Sequence, residues 1–92
     1  MDVLTFTGKI ITDLPVVTGK SEKGPWATQD YVAENTEGRY PMKLLFTVFG
    51  EQKIKEFDIH PGDVVTVSFE PTAKEVKGKW YGTNRAFKVV KK

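Results

Sequence analysis

Cysteine is absent from this 92-residue sequence. That excludes disulfides, thiolate metal centres and thiol catalysis together. Histidine is nearly absent too: His60 stands alone, with no second imidazole to share a metal ion. No apolar run approaches the roughly 20 residues that a membrane-crossing helix requires, so no membrane partner is expected. The segment Met1-Asp2-Val3-Leu4-Thr5 lacks the basic-then-apolar order of a secretion signal, and a cytoplasmic protein is expected. Glycine-rich phosphate loops are missing. Ser21 and Ser68 have no His–acid arrangement, while Glu51, Glu56, Asp58 and Asp63 read as a solvated acidic surface. No catalytic residue, metal ligand or cofactor is assigned, and an enzyme is not expected.

What is present suits one globular domain spanning 1–92. An apolar fraction of 39% with 28% charged residues is enough to build a core, which excludes a disordered chain or a coiled coil. The net charge of +2 conceals an uneven distribution. From Lys74 to Lys92 seven basic side chains face one acid, Glu75, for a net +6; residues 1–73 carry −4. Such clustering either concentrates a positive field for a polyanion or supplies a lysine-rich edge that discourages aggregation.

Strand signals dominate the pattern. Leu4, Phe6 and Ile10 alternate with Thr5, Thr7 and Lys9. Gly8 falls on the apolar face, as at a bulge or bend in a strand shared by two sides of a barrel. Residues 19–25 read as a polar, mobile loop. A second strand runs from Trp26 to Glu34, with Tyr31 and Ala33 inward and Trp26, Thr28 and Asp30 outward. A third runs from Met42 to Phe49, with Leu44, Phe46 and Val48 inward and Lys43, Leu45, Thr47 and Phe49 outward. Glu51–Phe57 is the one helical candidate, turning Ile54 and Phe57 to the core. His60-Pro61-Gly62-Asp63 has the order of a type II turn. A fourth strand, Val64–Glu70, points Val65, Val67 and Phe69 inward. Pro71–Lys79 is a loop or hairpin extension bent at Gly78, and Trp80–Val90 is a fifth strand with Phe87 and Val89 favoured inward over Ala86 and Val90. Five short strands with a helix between the third and fourth suit an all-β, five-stranded Greek-key barrel of the oligonucleotide/oligosaccharide-binding (OB) type.

Particular residues carry a resemblance. Leu44-Leu45-Phe46-Thr47-Val48-Phe49-Gly50 resembles the third strand of bacterial single-stranded-DNA-binding proteins. Pro61-Gly62-Asp63-Val64 resembles their fourth-strand start, and Lys77-Gly78-Lys79-Trp80-Tyr81 their basic-aromatic hairpin. Lys23-Gly24-Pro25-Trp26, Gln29, Tyr40-Pro41 and Gly78-Lys79-Trp80-Tyr81 with Arg85-Ala86 resemble, over nearly the whole chain, a family of uncharacterised bacterial OB-fold domains. The resemblance implies base stacking by Phe49 and Trp80. It also shows two departures. Lys43 stands where those DNA-binding proteins place a further aromatic, and the sequence closes on Val89-Val90-Lys91-Lys92 rather than on an acidic partner-recruiting tail, which argues against a hub role.

Binding a single strand without reading its sequence requires exposed aromatic faces for bases and cations for the backbone. Trp26, Phe49, Trp80 and Tyr81 are the candidate platforms, and Lys9, Lys43, Lys77, Lys79 and Arg85 the candidate phosphate contacts. Each has a plainer alternative: a core or hairpin-packing ring, a solvated lysine, or for Arg85 an ion pair with Asp30 or Glu70. Phe6, Phe46, Phe57 and Phe69 fit the core pattern. The expected partner is single-stranded DNA ahead of RNA, bound without catalysis. The alternative is a protein-interaction or assembly module, for which outward Leu45 beside Phe49 would form a homo-oligomer seam.

Overall fold

A computed structural model describes residues 4–92; Met1 to Val3, part of the segment read for a secretion signal, lie outside the described residues. The elements are β1 (Leu4–Asp13), β2 (Val17–Ser21), β3 (Gly24–Asn35), β4 (Met42–Phe49), α1 (Glu51–Phe57), β5 (Val64–Val76) and β6 (Lys79–Lys91). Pairing runs β1-β5-β6-β4-β3, and β3 returns to β1, so five strands close into a ring with β2 added outside β3. All pairings are antiparallel except β4 with β6. This is the OB fold.

Alternation along the strands fills the barrel. Ile10, Tyr31, Ala33, Phe46, Val48, Val65, Val67 and Ala86 are buried, with Ile59 beneath them. Full burial of one large apolar side chain stabilises by about 1.5–3 kcal/mol. Phe6, Phe57 and Phe69 are half-buried and pack against this cluster, as does Ile54 of α1. The Tyr31 ring stacks on Phe46 with centroids 5.5 Å apart, and its hydroxyl donates to Gln29 Oε1 at 2.7 Å. Burial, reinforced by Asp13 and Asp58, pushes the Tyr31 phenol up from its ordinary pKa.

β1 serves two neighbours, pairing with β5 through Leu4–Lys9 and with β3 through Lys9–Asp13. The crossing requires close backbone approach at Gly8, where an added Cβ would meet the Glu34 carbonyl oxygen at 2.6 Å. The bulge itself falls later than expected, between Ile10 and Thr12.

Three readings are corrected. Residues 19–25 are not a mobile loop: Val17–Ser21 pairs with Gly24–Thr28 as a hairpin turning at Glu22-Lys23, with Gly24 at φ 116°. Pro71–Lys79 is no loop either, because β5 and β6 continue as a two-stranded ribbon from Pro71↔Asn84 to Val76↔Lys79. Its two-residue turn places Lys77 at φ 51° and Gly78 at φ 82°, the positive-φ pair that suits right-handed strand twist. Phe87 does not point inward. A bulge pairs Ser68 with Lys88 and Phe69 with Ala86, skipping Phe87, so Ala86 is buried, Val89 is half-buried and Phe87 lies outside.

The turn before β5 is as expected. The Asp63 N–H donates to the His60 carbonyl at 3.1 Å across Pro61-Gly62, with Gly62 at φ 99°. No helix among the described residues is long and apolar enough to cross a membrane.

Candidate nucleic-acid interface

β3, β4 and β6 present one outward surface beside the core. Directly opposed residues share a face in antiparallel pairs. Val17 lies opposite Thr28, and Thr28 opposite Phe49, while Gly19 lies opposite Trp26. Asp30, Thr47 and Arg85 form the next row, followed by Val32 with Leu45 and Glu34 with Lys43. Lys9 continues that last row on the far side of Glu34.

Two of the four candidate rings meet here. Trp26 is 44% exposed and Phe49 38%, and both line a groove with Ala27, Thr28 and Gly50. Past the indole, Thr18, Lys20, Pro25 and Glu51 line an adjoining cleft. The indole lies against the Gly19 backbone so closely that a Cβ there would collide with its ring. Gly19 is therefore a fixing element for the platform that sequence reasoning missed, and its signal was a glycine facing Trp26 across a two-residue turn.

Arg85 sits over Phe49, its guanidinium carbon 5.2 Å from the ring centroid. The ion pairs among the described residues are Lys55–Glu51 and Lys91–Asp63, with the His60 imidazole 3.5 Å from Asp58, and Arg85 enters none of these contacts. The Thr47 hydroxyl donates to Asp30 Oδ1 at 2.6 Å, and Asn84 Nδ2 donates to the Leu45 carbonyl at 3.0 Å, tying β6 to β4. These contacts fix the surface across three strands.

The ribbon divides the other two rings. With unbroken register from Phe69↔Ala86 to Val76↔Lys79, Lys79, Tyr81, Thr83 and Arg85 occupy one side, with Lys74 opposite Tyr81. Trp80 is 68% exposed on the reverse side, opposite Glu75. Lys77 stands at the turn. The C-terminal cations also separate. Lys74, Lys77 and Lys79 lie toward the ribbon tip, whereas Lys91 at the barrel's other end reaches Asp63 at 3.4 Å and donates to the Asp58 carbonyl. There the His60 N–H and the Lys91 ammonium hold the Asp63 carboxyl below the usual carboxylate range.

The fold and this surface define an OB barrel with an aromatic-cationic outer face. The sequence matches the family described as "Domain of unknown function (DUF3127)" across residues 5–90, and the chain belongs to that family. Solved structures share the fold. The mitochondrial single-stranded DNA binding protein Rim1 of S. cerevisiae superposes with a TM-score of 0.70 at 15% identity, covering 98% of this chain and 94% of that one. The SSB domain of a Synechococcus sp. protein gives 0.65 at 10% identity, with 97% and 93% covered. The small single-stranded DNA-binding protein of Streptomyces coelicolor gives 0.54 at 16%, with 99% and 94% covered. No curated protein matches the sequence.

Proposed function

We propose that this chain binds single-stranded nucleic acid, DNA ahead of RNA, without catalysis and by base-tolerant stacking. The observation that carries the reading is the juxtaposition of Trp26, Phe49 and Arg85 on one solvent-facing surface. Two rings at one groove offer stacking worth about 1–3 kcal/mol per base. Arg85 adds a planar cation suited both to stacking and to phosphate. From there a strand follows the ribbon past Tyr81 and Lys79, with Lys74 and Lys77 near its end and Lys9 and Lys43 at the opposite margin. Trp80, on the reverse side, touches a strand only where it wraps around the ribbon. The structural neighbours' names, single-stranded DNA-binding proteins of low identity, agree with the reading.

Titration with oligo-dT and with duplex DNA, followed by tryptophan fluorescence at two salt concentrations, tests it. Salt-sensitive quenching by oligo-dT and none by duplex is expected. A flat response to oligo-dT well above micromolar protein overturns the proposal.

A second reading, self-association, is favoured by one feature: Leu45 is 53% exposed in the row with Val32, two residues from Thr47. Sedimentation of the native chain against Leu45→Glu would show a dimer lost on substitution if that row were a seam.

A further inference from the structure

A carboxylate in the middle of a surface meant for a polyanion requires a reason. Asp30 lies on the outward face of β3 between Thr28, which pairs with Phe49, and Val32. It is half-buried, and it forms no ion pair with Arg85 of the same cross-strand row. Among the described residues its one side-chain hydrogen bond is from Thr47 Oγ1 to Oδ1, which orients the group and leaves Oδ2 without a donor from them. Near phosphates this anion would repel. Beside a stacked base it acts differently, because an ionised carboxylate only accepts hydrogen bonds.

The base edges differ in how they meet such a group. Guanine presents N1–H and N2–H side by side, two donors matched to the two carboxylate oxygens. Thymine offers one donor flanked by two carbonyl oxygens, and cytosine and adenine each set an acceptor nitrogen beside the amino group. Those acceptors would face the carboxylate and be repelled. Unpaired bases are read on this edge in single strands. Asp30 is about 7 Å along β3 from Thr28 at 3.3–3.4 Å per residue, within reach of the edge of a purine stacked on Phe49. Resting on the single-strand reading above, we infer that Asp30 is a specificity-determining residue that selects guanine for the nucleotide stacked at Phe49, with Thr47 as its positioning residue.

The preference is a single position superimposed on tolerant stacking elsewhere. A well-formed bidentate pair discriminates by about tenfold or more. Fluorescence titration of the native chain with dT16, d(GT)8 and d(IT)8 reads it directly, since inosine keeps N1–H and lacks the 2-amino group. The expected order of affinity is d(GT)8, then d(IT)8, then dT16, with about tenfold between the ends. Asp30→Asn should equalise d(GT)8 and dT16 while binding dT16 at least as tightly as the native chain, because a repelling charge is gone. Thr47→Val should shrink the preference and keep dT16 binding. Equal native affinity for the three strands, or a preference that survives in Asp30→Asn, overturns the assignment and leaves single-strand binding intact. Failure to bind any of the three overturns single-strand binding and this inference with it.

Discussion

Replacing Phe49 by leucine separates stacking from packing. The ring is 38% exposed, so most of its surface contacts protein, and alanine would remove that packing along with the π face. Leucine keeps most of the apolar volume. Swaps of this kind cost less than about 1.5 kcal/mol of stability, to which losing the Arg85 cation–π contact adds about 0.5–1 kcal/mol. A stacked base contributes about 1–3 kcal/mol, and 1.4 kcal/mol is tenfold in affinity. Phe49→Leu should therefore weaken oligo-dT binding by about 5- to 150-fold while the domain stays folded. Phe49→Tyr, which restores a π face, should bind within a few-fold of native. Tryptophan fluorescence gives the affinities, and thermal melts by circular dichroism give the stability. Native-like affinity in folded Phe49→Leu would refute the platform; equal losses in the leucine and tyrosine variants would show that Phe49 acts by shape alone.

Tyr81→Leu should weaken binding of strands long enough to reach the ribbon, whereas Trp80→Leu on the reverse side should change it less; the opposite ranking would place the strand on the other side. With three or four phosphate contacts, log affinity should fall against log salt with a slope of about −2 to −3, at −0.7 per contact, measurable by titration at four salt concentrations. Gly8→Ala puts a Cβ 2.6 Å from the Glu34 carbonyl oxygen, a backbone atom fixed by the β1–β3 pairing. Overpacking of about 1–3 kcal/mol should lower the melting temperature by at least about 4 °C. Asp63 is held below its ordinary pKa in the folded state. The stability it contributes is present above about pH 4, the unfolded carboxylate value, and is lost as pH falls through the lowered folded value. Chemical denaturation from pH 6 to 2 should show Asp63→Asn with a flatter acid limb than native.

The barrel interior was legible because alternation reports burial wherever one face of a strand is wet and the other dry. Tyr31, Ala33, Phe46, Val48, Val65 and Val67 all follow that rule. It fails at a bulge, because skipping Phe87 inverts the pattern between Ala86 and Val89, and the skipped residue is defined by its partner strand. It fails again where both faces are wet. Lys20-Ser21-Glu22-Lys23 and Pro71-Thr72-Ala73-Lys74 have loop-like composition although they lie in or beside hairpin strands, since nothing there is buried. Of the proposed site, Phe49 was legible as an apolar residue on an outward face. That Trp26 joins it and Trp80 does not depends on register, which a single sequence does not contain.

Charge on the platform surface bears on how a strand would be held. Lys9, Lys43 and Arg85 share the outward rows of β1, β4 and β6 with Asp30 and Glu34, and Glu51 borders the adjoining cleft. Such a surface supplies little net attraction for phosphate, and exposed charges more than about 8 Å apart are screened at physiological salt. The rings must then supply most of the affinity at the barrel. The cations are denser at the ribbon, where Lys74 and Lys79 share one side with Tyr81, Lys77 stands at the turn, and Glu75 lies on the reverse side with Trp80. A strand confined to the barrel would thus be held by stacking and be salt-tolerant, and one extending along the ribbon would gain its electrostatic share there. On the single-strand reading, stacking falls to Trp26 and Phe49 on β3 and β4 and charge to the ribbon of β5 and β6, with Arg85 of β6 over Phe49 joining the two.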